Sequence, residues 1–330
     1  MTKIAFFDTK EYDKKWFDKY VSDDEEITYF ESRLKTRNAQ VCQGFDVVIA
    51  FVNDELNADT IDAIADMGVK MIALRSAGFN NVDIKEATKK NIIVARVPAY
   101  SPYAVAEHAT ALLLASVRKL HHSYVRTREF NFSLNGLVGF DLHGKTMGIV
   151  GTGKIGCIFI DICKGFGMKV IAYDPYPKAD LDCEYVSFEE LCKSSDMISF
   201  HCPLTKENKH MVNDESIKNM KDGVVLINTS RGALVKSSAL LKGLRSKKIG
   251  AAGLDVYEEE AGLFFEDKSN AILDHENEIL TLLIAMPNVI VTSHQAFLTE
   301  EALQKIADTT LNNIRDFVNG REVVNRVQHD

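Results

Sequence analysis

Three glycines in the spacing G-x-G-x-x-G, Gly151-Thr-Gly153-Lys154-Ile155-Gly156, directly follow an apolar run that ends at Val150. A strand running into such a turn, with a helix leaving it toward Phe166, offers close backbone approach and the positive end of a helix dipole, which a pyrophosphate requires. The next expected strand ends at Asp174, 18 residues beyond Gly156. A carboxylate there can accept hydrogen bonds from adenosine ribose hydroxyls and would repel a 2′-phosphate, so the chemistry expected is dinucleotide binding with NAD preferred over NADP. Three more polar segments follow expected strands of the same series: His201-Cys202-Pro203-Leu204-Thr205, Asn228-Thr229-Ser230-Arg231-Gly232 and Ser293-His294-Gln295. In open parallel sheets ligands bind beyond the carboxyl ends of the strands, so these segments should converge on the nicotinamide end of the cofactor. Taken singly, Arg231 reads as a surface ion-pair residue, His294 as a packed or solvated histidine and Glu258-Glu259-Glu260 as a solvated acidic run.

The elements that must position these residues are legible as alternation. Nearly continuous apolar runs at 3–8, 46–52, 69–75 and 92–97 read as one group of strands, and runs at 146–150, 169–173, 197–201, 224–228, 250–254 and 289–292 as a second. Strands without polar alternation suit parallel sheets covered on both faces, so the fold class is α/β with doubly wound sheets. The segment 101–128 reads as one long helix with Ser101 as cap and Pro102 at its first position, its alanines allowing close packing, as against a partner subunit. A last helix is expected over 299–319, stopped at Gly320. The stretch 257–288 reads as one long connection, functional or interfacial.

Length and composition bound the classes. The 330 residues suggest two domains. With 46% hydrophobic and 26% charged residues there is material for buried cores and no sign of general disorder. The longest apolar stretches fall short of a membrane span, and Asp8 interrupts the amino terminus before an export signal could form, so no membrane is expected and the cytoplasm is favoured. A net charge of −8 without a basic run argues against nucleic acid as partner. Six cysteines without a C-x-x-C pair read as reduced thiols, and the histidines lack a paired spacing for zinc, so no metal is expected.

Asn-Thr-Ser-Arg231-Gly, Leu-Asp255-Val-Tyr-Glu-Glu-Glu260 and His294-Gln-Ala-Phe, placed after Gly-Thr-Gly-Lys-Ile-Gly, closely resemble the D-2-hydroxyacid dehydrogenases, specifically their NAD-dependent D-lactate dehydrogenase branch. The resemblance extends over essentially the whole chain, including Val-Pro98-Ala-Tyr100-Ser-Pro102, Leu-Arg75-Ser-Ala-Gly-Phe-Asn-Asn and Leu-Phe-Phe-Glu-Asp-Lys in the long connection. It implies a Rossmann-type NAD domain, residues 101–298, inserted into a flavodoxin-like substrate domain made of 1–100 plus 299–330, with the active site in the cleft. It also implies reversible, NADH-dependent reduction of pyruvate to D-lactate by a homodimer or tetramer. Carried over by position, Arg231 would hold the substrate carboxylate and polarise its carbonyl, His294 would donate the proton, and Glu260 would stabilise the protonated ring. Backbone amides near Ser76, Ala77 and Gly78 would hold the carboxylate, with Phe51 and Tyr100 as pocket walls. Beside the glycine motif, Ile155, Cys202, Pro203, Asn208, Thr229, Ser230 and Asp255 fall where the family contacts NAD.

There are departures. Many members carry proline before the active histidine and an aromatic residue shortly after Phe297, where this chain has Ser293 and Leu298. The Gln-Ala-Phe-Leu form belongs to one branch of the D-lactate dehydrogenases, which keeps pyruvate as first choice and leaves slightly larger 2-oxo acids open. Corepressors similar to this family are a competing, non-enzymatic reading, but would ask for long disordered extensions or a peptide-binding surface. Formate dehydrogenases place an amide where Glu260 stands.

Overall fold

The computed structural model describes residues 1–260, 262–267, 269 and 278–328. By its internal contacts the chain divides into two compact units, Met1–Ser101 with Phe297–Asp330, and Pro102–Ala296. Both are α/β layers on parallel sheets, as the apolar runs require.

The first unit holds β1 (Thr2–Phe6), α1 (Glu11–Tyr20), β2 (Glu25–Tyr29), β3 (Val47–Ala50), α2 (Ala58–Asp66), β4 (Met71–Leu74), α3 (Ile84–Lys89) and β5 (Ile93–Ala95). Its sheet order is β2-β1-β3-β4-β5, parallel throughout. Every residue of β3 and β4 is buried, which is why Val-Val-Ile-Ala and Met-Ile-Ala-Leu carry no polar alternation. β2 was not expected: Glu25-Glu26-Ile-Thr-Tyr is a charged edge strand, and edges tolerate such sequences because one side of the ladder faces solvent.

The second unit begins with α4 (Pro102–Arg118) and α5 (Leu120–Arg128), followed by β6 (Thr146–Val150), α6 (Lys154–Gly165), β7 (Lys169–Tyr173), β8 (Glu184–Tyr185), α7 (Phe188–Ser194) and β9 (Met197–Phe200). It continues through α8 (Asp214–Asn219), β10 (Val224–Asn228), α9 (Ser237–Arg245), β11 (Ile249–Leu254), α10 (Glu278–Ala285) and β12 (Val289–Val291). The seven strands run β12-β11-β10-β9-β6-β7-β8, and the order reverses beside β6, the switch point at which a doubly wound sheet binds its ligand. One face is covered by a core that includes Leu112, Phe159 and Ile227, the other by one that includes Phe200, Leu240 and Leu283. Burying each such side chain contributes roughly 1.5–3 kcal/mol.

Three expectations need correction. The single helix over 101–128 is two, because Lys119 adopts a left-handed backbone (φ 52°) that ends α4 and starts α5 on a new axis. The second sheet has one strand more than expected, the two-residue β8. The connection 257–288 contains α10, whose Glu-Ile-Leu-Thr-Leu-Leu-Ile-Ala buries Leu280 and Leu283; Ala261, Lys268 and residues 270–277 of that connection lie outside the described residues.

The chain then returns to the first unit through α11 (Glu300–Val318), capped by Thr299 Oγ1 accepting from the Ala302 N–H at 3.2 Å. α11 packs on α1 and β4. Arg315 clamps the Glu25 carboxylate with two parallel bonds of 2.8 Å (Nε to Oε1, Nη2 to Oε2) and donates also to the Tyr20 carbonyl at 2.6 Å. Such forked pairing is the strong geometry of an ion pair.

Candidate active site

In the second unit, the glycine motif occupies the turn between β6 and α6. Gly151 has φ 96°, and a Cβ there would lie 2.7 Å from the Cys202 nitrogen; a Cβ on Gly156 would lie 2.1 Å from the Gly151 oxygen. These two glycines therefore let the turn, the helix and the β9 end close on one another. At Gly153 a Cβ would meet nothing within 4 Å, and as N-cap it gives α6 no side-chain partner. The amides of Lys154, Ile155 and Gly156 thus open a helix terminus toward clear space, a cradle suited to a pyrophosphate.

Asp174 follows β7 and is tied to the same turn: Oδ2 accepts from the Thr152 N–H at 2.7 Å and Oγ1 at 2.9 Å, and Oδ1 from the Tyr176 N–H at 2.9 Å. Burial pushes its carboxyl up, but these bonds and Lys178 outweigh it and hold it below the usual carboxylate range. It is ionised at neutral pH and keeps lone pairs for ribose hydroxyls. Thr152 and Tyr185, whose hydroxyl donates to Thr152 Oγ1 at 2.9 Å, belong to this corner and were not anticipated. Thr152 was visible as the second residue of the motif, whereas nothing marked Tyr185.

The strand-end segments are brought to the same edge of the sheet. Asn208 Nδ2 donates to the Pro203 carbonyl at 2.8 Å and its Oδ1 accepts from the Thr205 N–H at 2.7 Å, bracing the turn after β9. Ser230 Oγ donates to the Cys202 carbonyl, joining that turn to the one after β10. Burial pushes the Cys202 thiol up to about 11, so it is a protonated thiol. Thr229 is buried, and its Oγ1 has no hydrogen-bond partner among the described residues. A buried hydroxyl without a partner costs about 1–3 kcal/mol, so it fits a site that a ligand completes. Together with the cradle at Gly153, the orphaned hydroxyl fits a dinucleotide.

Arg231 donates from Nη1 to the neighbouring Ser230 carbonyl at 2.7 Å and forms no ion pair among the described residues. Most of its forked donors are therefore available to an anion. His294 stands in a left-handed conformation (φ 56°), with its N–H bonded to the Asp255 carbonyl at 2.8 Å. Its Nδ1 lies 2.9 Å from Glu260 Oε1, and Phe265 packs against the ring at 5.7 Å between centroids. Glu260 Oε2 in turn accepts from the Tyr257 N–H at 2.9 Å. With Nδ1 taken, Nε2 is the nitrogen left to exchange a proton. His201 contrasts with it: packed on Phe159 and bonded to Ser199 Oγ at 2.9 Å, it is driven by burial down to about 3 and stays neutral.

Asp255 is wholly buried, and its carboxylate lies beneath the His294 turn. Oδ2 accepts from the Ala296 N–H at 2.8 Å; Oδ1 accepts from the Gln295 N–H at 2.9 Å and from the Thr292 hydroxyl, with His108 Nε2 at 3.3 Å. Burial pushes this carboxyl up, yet the bonds from His108, Thr292 and Ala296 outweigh it and hold it below the usual range. His108, on α4, also lies 3.1 Å from Thr292 Oγ1. No spacing in the sequence pointed to it.

In the first unit, Phe51, Tyr100 and Phe297 form an aromatic group, with centroids 6.4 Å apart for Phe51–Phe297 and 6.0 Å for Tyr100–Phe297. Behind it the buried Arg75 guanidinium stacks on Phe51 at 3.8 Å, donates to the Asp8 carbonyl at 2.7 Å and lies 3.4 Å from Asp13. Asp54 accepts from the Phe51 N–H at 2.6 Å. Arg75 leads into Ser76-Ala77-Gly78, where Ser76 Oγ donates to the Gly78 carbonyl at 2.8 Å and Arg96 donates to the Ala77 carbonyl at 2.9 Å. These bonds fix the turn through its carbonyls and leave its amides to a ligand. Among the described residues no group of three or more His, Cys, Asp or Glu could hold a metal ion.

Residues 110–296 match the family described as D-isomer specific 2-hydroxyacid dehydrogenase, NAD binding domain. The chain is similar to a D-lactate dehydrogenase of Escherichia coli (strain K12), 46% identical over 329 residues that cover 98% of this chain and 99% of that protein. Among solved structures it resembles the pyruvate reductase of Chlamydomonas reinhardtii, with TM-score 0.92 and 43% identity over 98% of both chains. It also resembles D-lactate dehydrogenase from Aquifex aeolicus complexed with NAD and lactic acid, with TM-score 0.88 and 34% identity over 99% of both.

Proposed function

We propose that this chain, which belongs to the D-isomer specific 2-hydroxyacid dehydrogenases and takes NAD as cofactor, interconverts pyruvate and D-lactate. The observation that carries the reading is the His294–Glu260 pair at 2.9 Å, in the same unit as the unpaired guanidinium of Arg231. NADH, when bound, supplies the hydride to the substrate's carbonyl carbon. His294 Nε2 gives its proton to the carbonyl oxygen, and Glu260 stabilises the charged ring from the Nδ1 side. In lactate oxidation the neutral ring takes that proton back.

Arg231 pairs with the substrate carboxylate through its fork and polarises the carbonyl. The amides of Ser76, Ala77 and Gly78 hold the same carboxylate, and Phe51 and Tyr100 wall the methyl side. Lys154, Ile155, Asp174, Cys202, Pro203, Asn208, Thr229, Ser230 and Asp255 serve the cofactor with the three glycines, Asp255 through the turn it braces.

Self-association is part of the proposal: Phe130, Phe132, Leu134 and Val138 are each more than 70% exposed, an apolar stretch of the kind a partner copy covers. No described helix is long and apolar enough to cross a membrane. All six cysteines are free, which supports assigning the enzyme to the reducing cytoplasm.

The test is NADH oxidation with a panel of 2-oxo acids, followed by chiral analysis of the product. The expected result is highest catalytic efficiency with pyruvate and D-lactate as product. L-lactate, or no turnover of any 2-oxo acid, overturns the reading.

A further inference from the structure

A cavity of about 310 Å³ opens in the second unit, far from the glycine motif, and Ser116, Lys119, His121, His122 and Arg126 are among the residues that line it. Its floor is the amino end of the sheet: Gly250 and Ala251 open β11, and Pro287 and Asn288 lead into β12. The cofactor cradle and His294 belong to the carboxyl ends of the same parallel strands. From Ala251 at the cavity to Asp255 beneath the His294 turn the strand advances about 13 Å, so the two sites are distinct.

The cavity concentrates cationic donors without a counter-charge. Among the described residues no carboxylate lines it, in a chain whose net charge is −8, and neither Lys119 nor Arg126 forms an ion pair. Lys119 spends one donor on the Gly136 carbonyl at 3.0 Å, and Arg126 one on the Asn135 carbonyl at 2.7 Å. An ammonium has three donors and a guanidinium five, so most remain for an occupant. The His121 and His122 rings lie tilted with centroids 4.4 Å apart, and both turn Nε2 to one acceptor, the Pro287 carbonyl. Two features ask for a polar occupant: Ser116 is 94% buried with no partner for its Oγ among the described residues, and the His121 Nδ1 is likewise buried without one.

We propose that this cavity is a second binding site, for a compact, multiply charged oxyanion of the phosphate class, held by Lys119, Arg126 and the histidine pair with Ser116 beneath. Charge-assisted bonds to an oxyanion are among the strongest available, and a tetrahedral anion can take donors from several sides at once. The proposal is independent of the catalytic reading.

Inorganic phosphate is the probe, titrated calorimetrically into the full-length enzyme saturated with NADH, which blocks the pyrophosphate cradle, at ionic strength held constant with chloride. One saturable site per chain of low-millimolar or tighter affinity is expected. Arg126→Gln and Lys119→Gln should each weaken it about tenfold or more, with NADH affinity and melting temperature unchanged. If Arg126→Gln melts early, Lys119→Gln carries the comparison. Absence of saturable binding to the NADH-saturated enzyme, or equal binding by wild type and both folded variants, overturns the proposal.

Discussion

Asp255→Asn is the sharpest probe of how the fold presents His294, because it changes one atom beneath the turn and leaves the histidine untouched. In the native enzyme Oδ1 accepts from Thr292 and Gln295 with His108 close by, and Oδ2 accepts from the Ala296 N–H. An amide can satisfy one side only: with its oxygen at the Oδ1 position, its NH₂ faces the Ala296 N–H, donor against donor. The loss of a charge-assisted bond costs about 1.5–3 kcal/mol and the stranded buried N–H about 1–3, roughly 2.5–6 together. For a unit of this size that lowers the melting temperature by on the order of 10 °C. His294 follows the turn directly, and a displacement of about 1 Å at a reacting group costs on the order of a hundredfold in rate. kcat should therefore fall far more than the KM for pyruvate rises. The sign of the pH dependence follows from the depressed Asp255 carboxyl. A group held lower in the folded than in the unfolded chain contributes fully above its unfolded value, and that contribution is lost as pH falls through the folded one. The stability gap between wild type and variant should be widest near neutrality and narrow on acidification below the ordinary carboxylate range. Thermal melts at stepped pH and steady-state kinetics measure both. A variant melting within a degree of wild type with kcat within twofold would refute the bracing role.

Asp174→Ala removes both the acceptor for ribose hydroxyls and the anchor of Thr152, so NADH should bind about tenfold more weakly or worse while discrimination against NADPH shrinks; unchanged selectivity in side-by-side titrations counts against Asp174. Arg231→Lys keeps the charge and loses the fork, so kcat/KM for pyruvate should drop by on the order of a hundredfold, and near-normal efficiency removes Arg231 from the substrate. Glu260→Gln withdraws the charge opposite His294 Nδ1, so kcat for pyruvate reduction should fall by on the order of tenfold or more with NADH affinity unchanged; a kcat within twofold of wild type would argue for a merely structural acid.

The parts of the molecule legible in the sequence are those governed by neighbours along the chain. β6, its glycines and α6 could be read because an apolar run, a turn and a helix follow one another without interruption. Both parallel sheets announced themselves through strands with no polar residue, and Pro102 opens α4 as its fixed backbone angle favours. What stayed hidden depends on distant partners or a single dihedral. The break at Lys119 has no signature, since lysine is not a residue that favours a left-handed angle. β2 carries two glutamates in five residues and β8 is two residues long, so neither shows a period. The Asp255 carboxylate meets the Ala296 amide across 41 positions, and Arg75 meets Asp8 across 67; neither spacing is a motif.

The Arg315–Glu25 clamp has a consequence for synthesis. Glu25 and the rest of β1 to β5 leave the ribosome early, but α11 emerges after the whole of 102–296. The nucleotide-binding unit can therefore finish folding on a nascent chain, while the earlier-made unit waits with its α1 and β4 surfaces uncovered and the Glu25 carboxylate without its guanidinium. Translation order and folding order are thus inverted for the two units. Chains ending before Glu300 and tethered to the ribosome through a flexible linker long enough to clear the exit tunnel should show protease protection over 102–296 and cleavage within 1–101, and extending the chain through α11 ahead of the linker should abolish the difference.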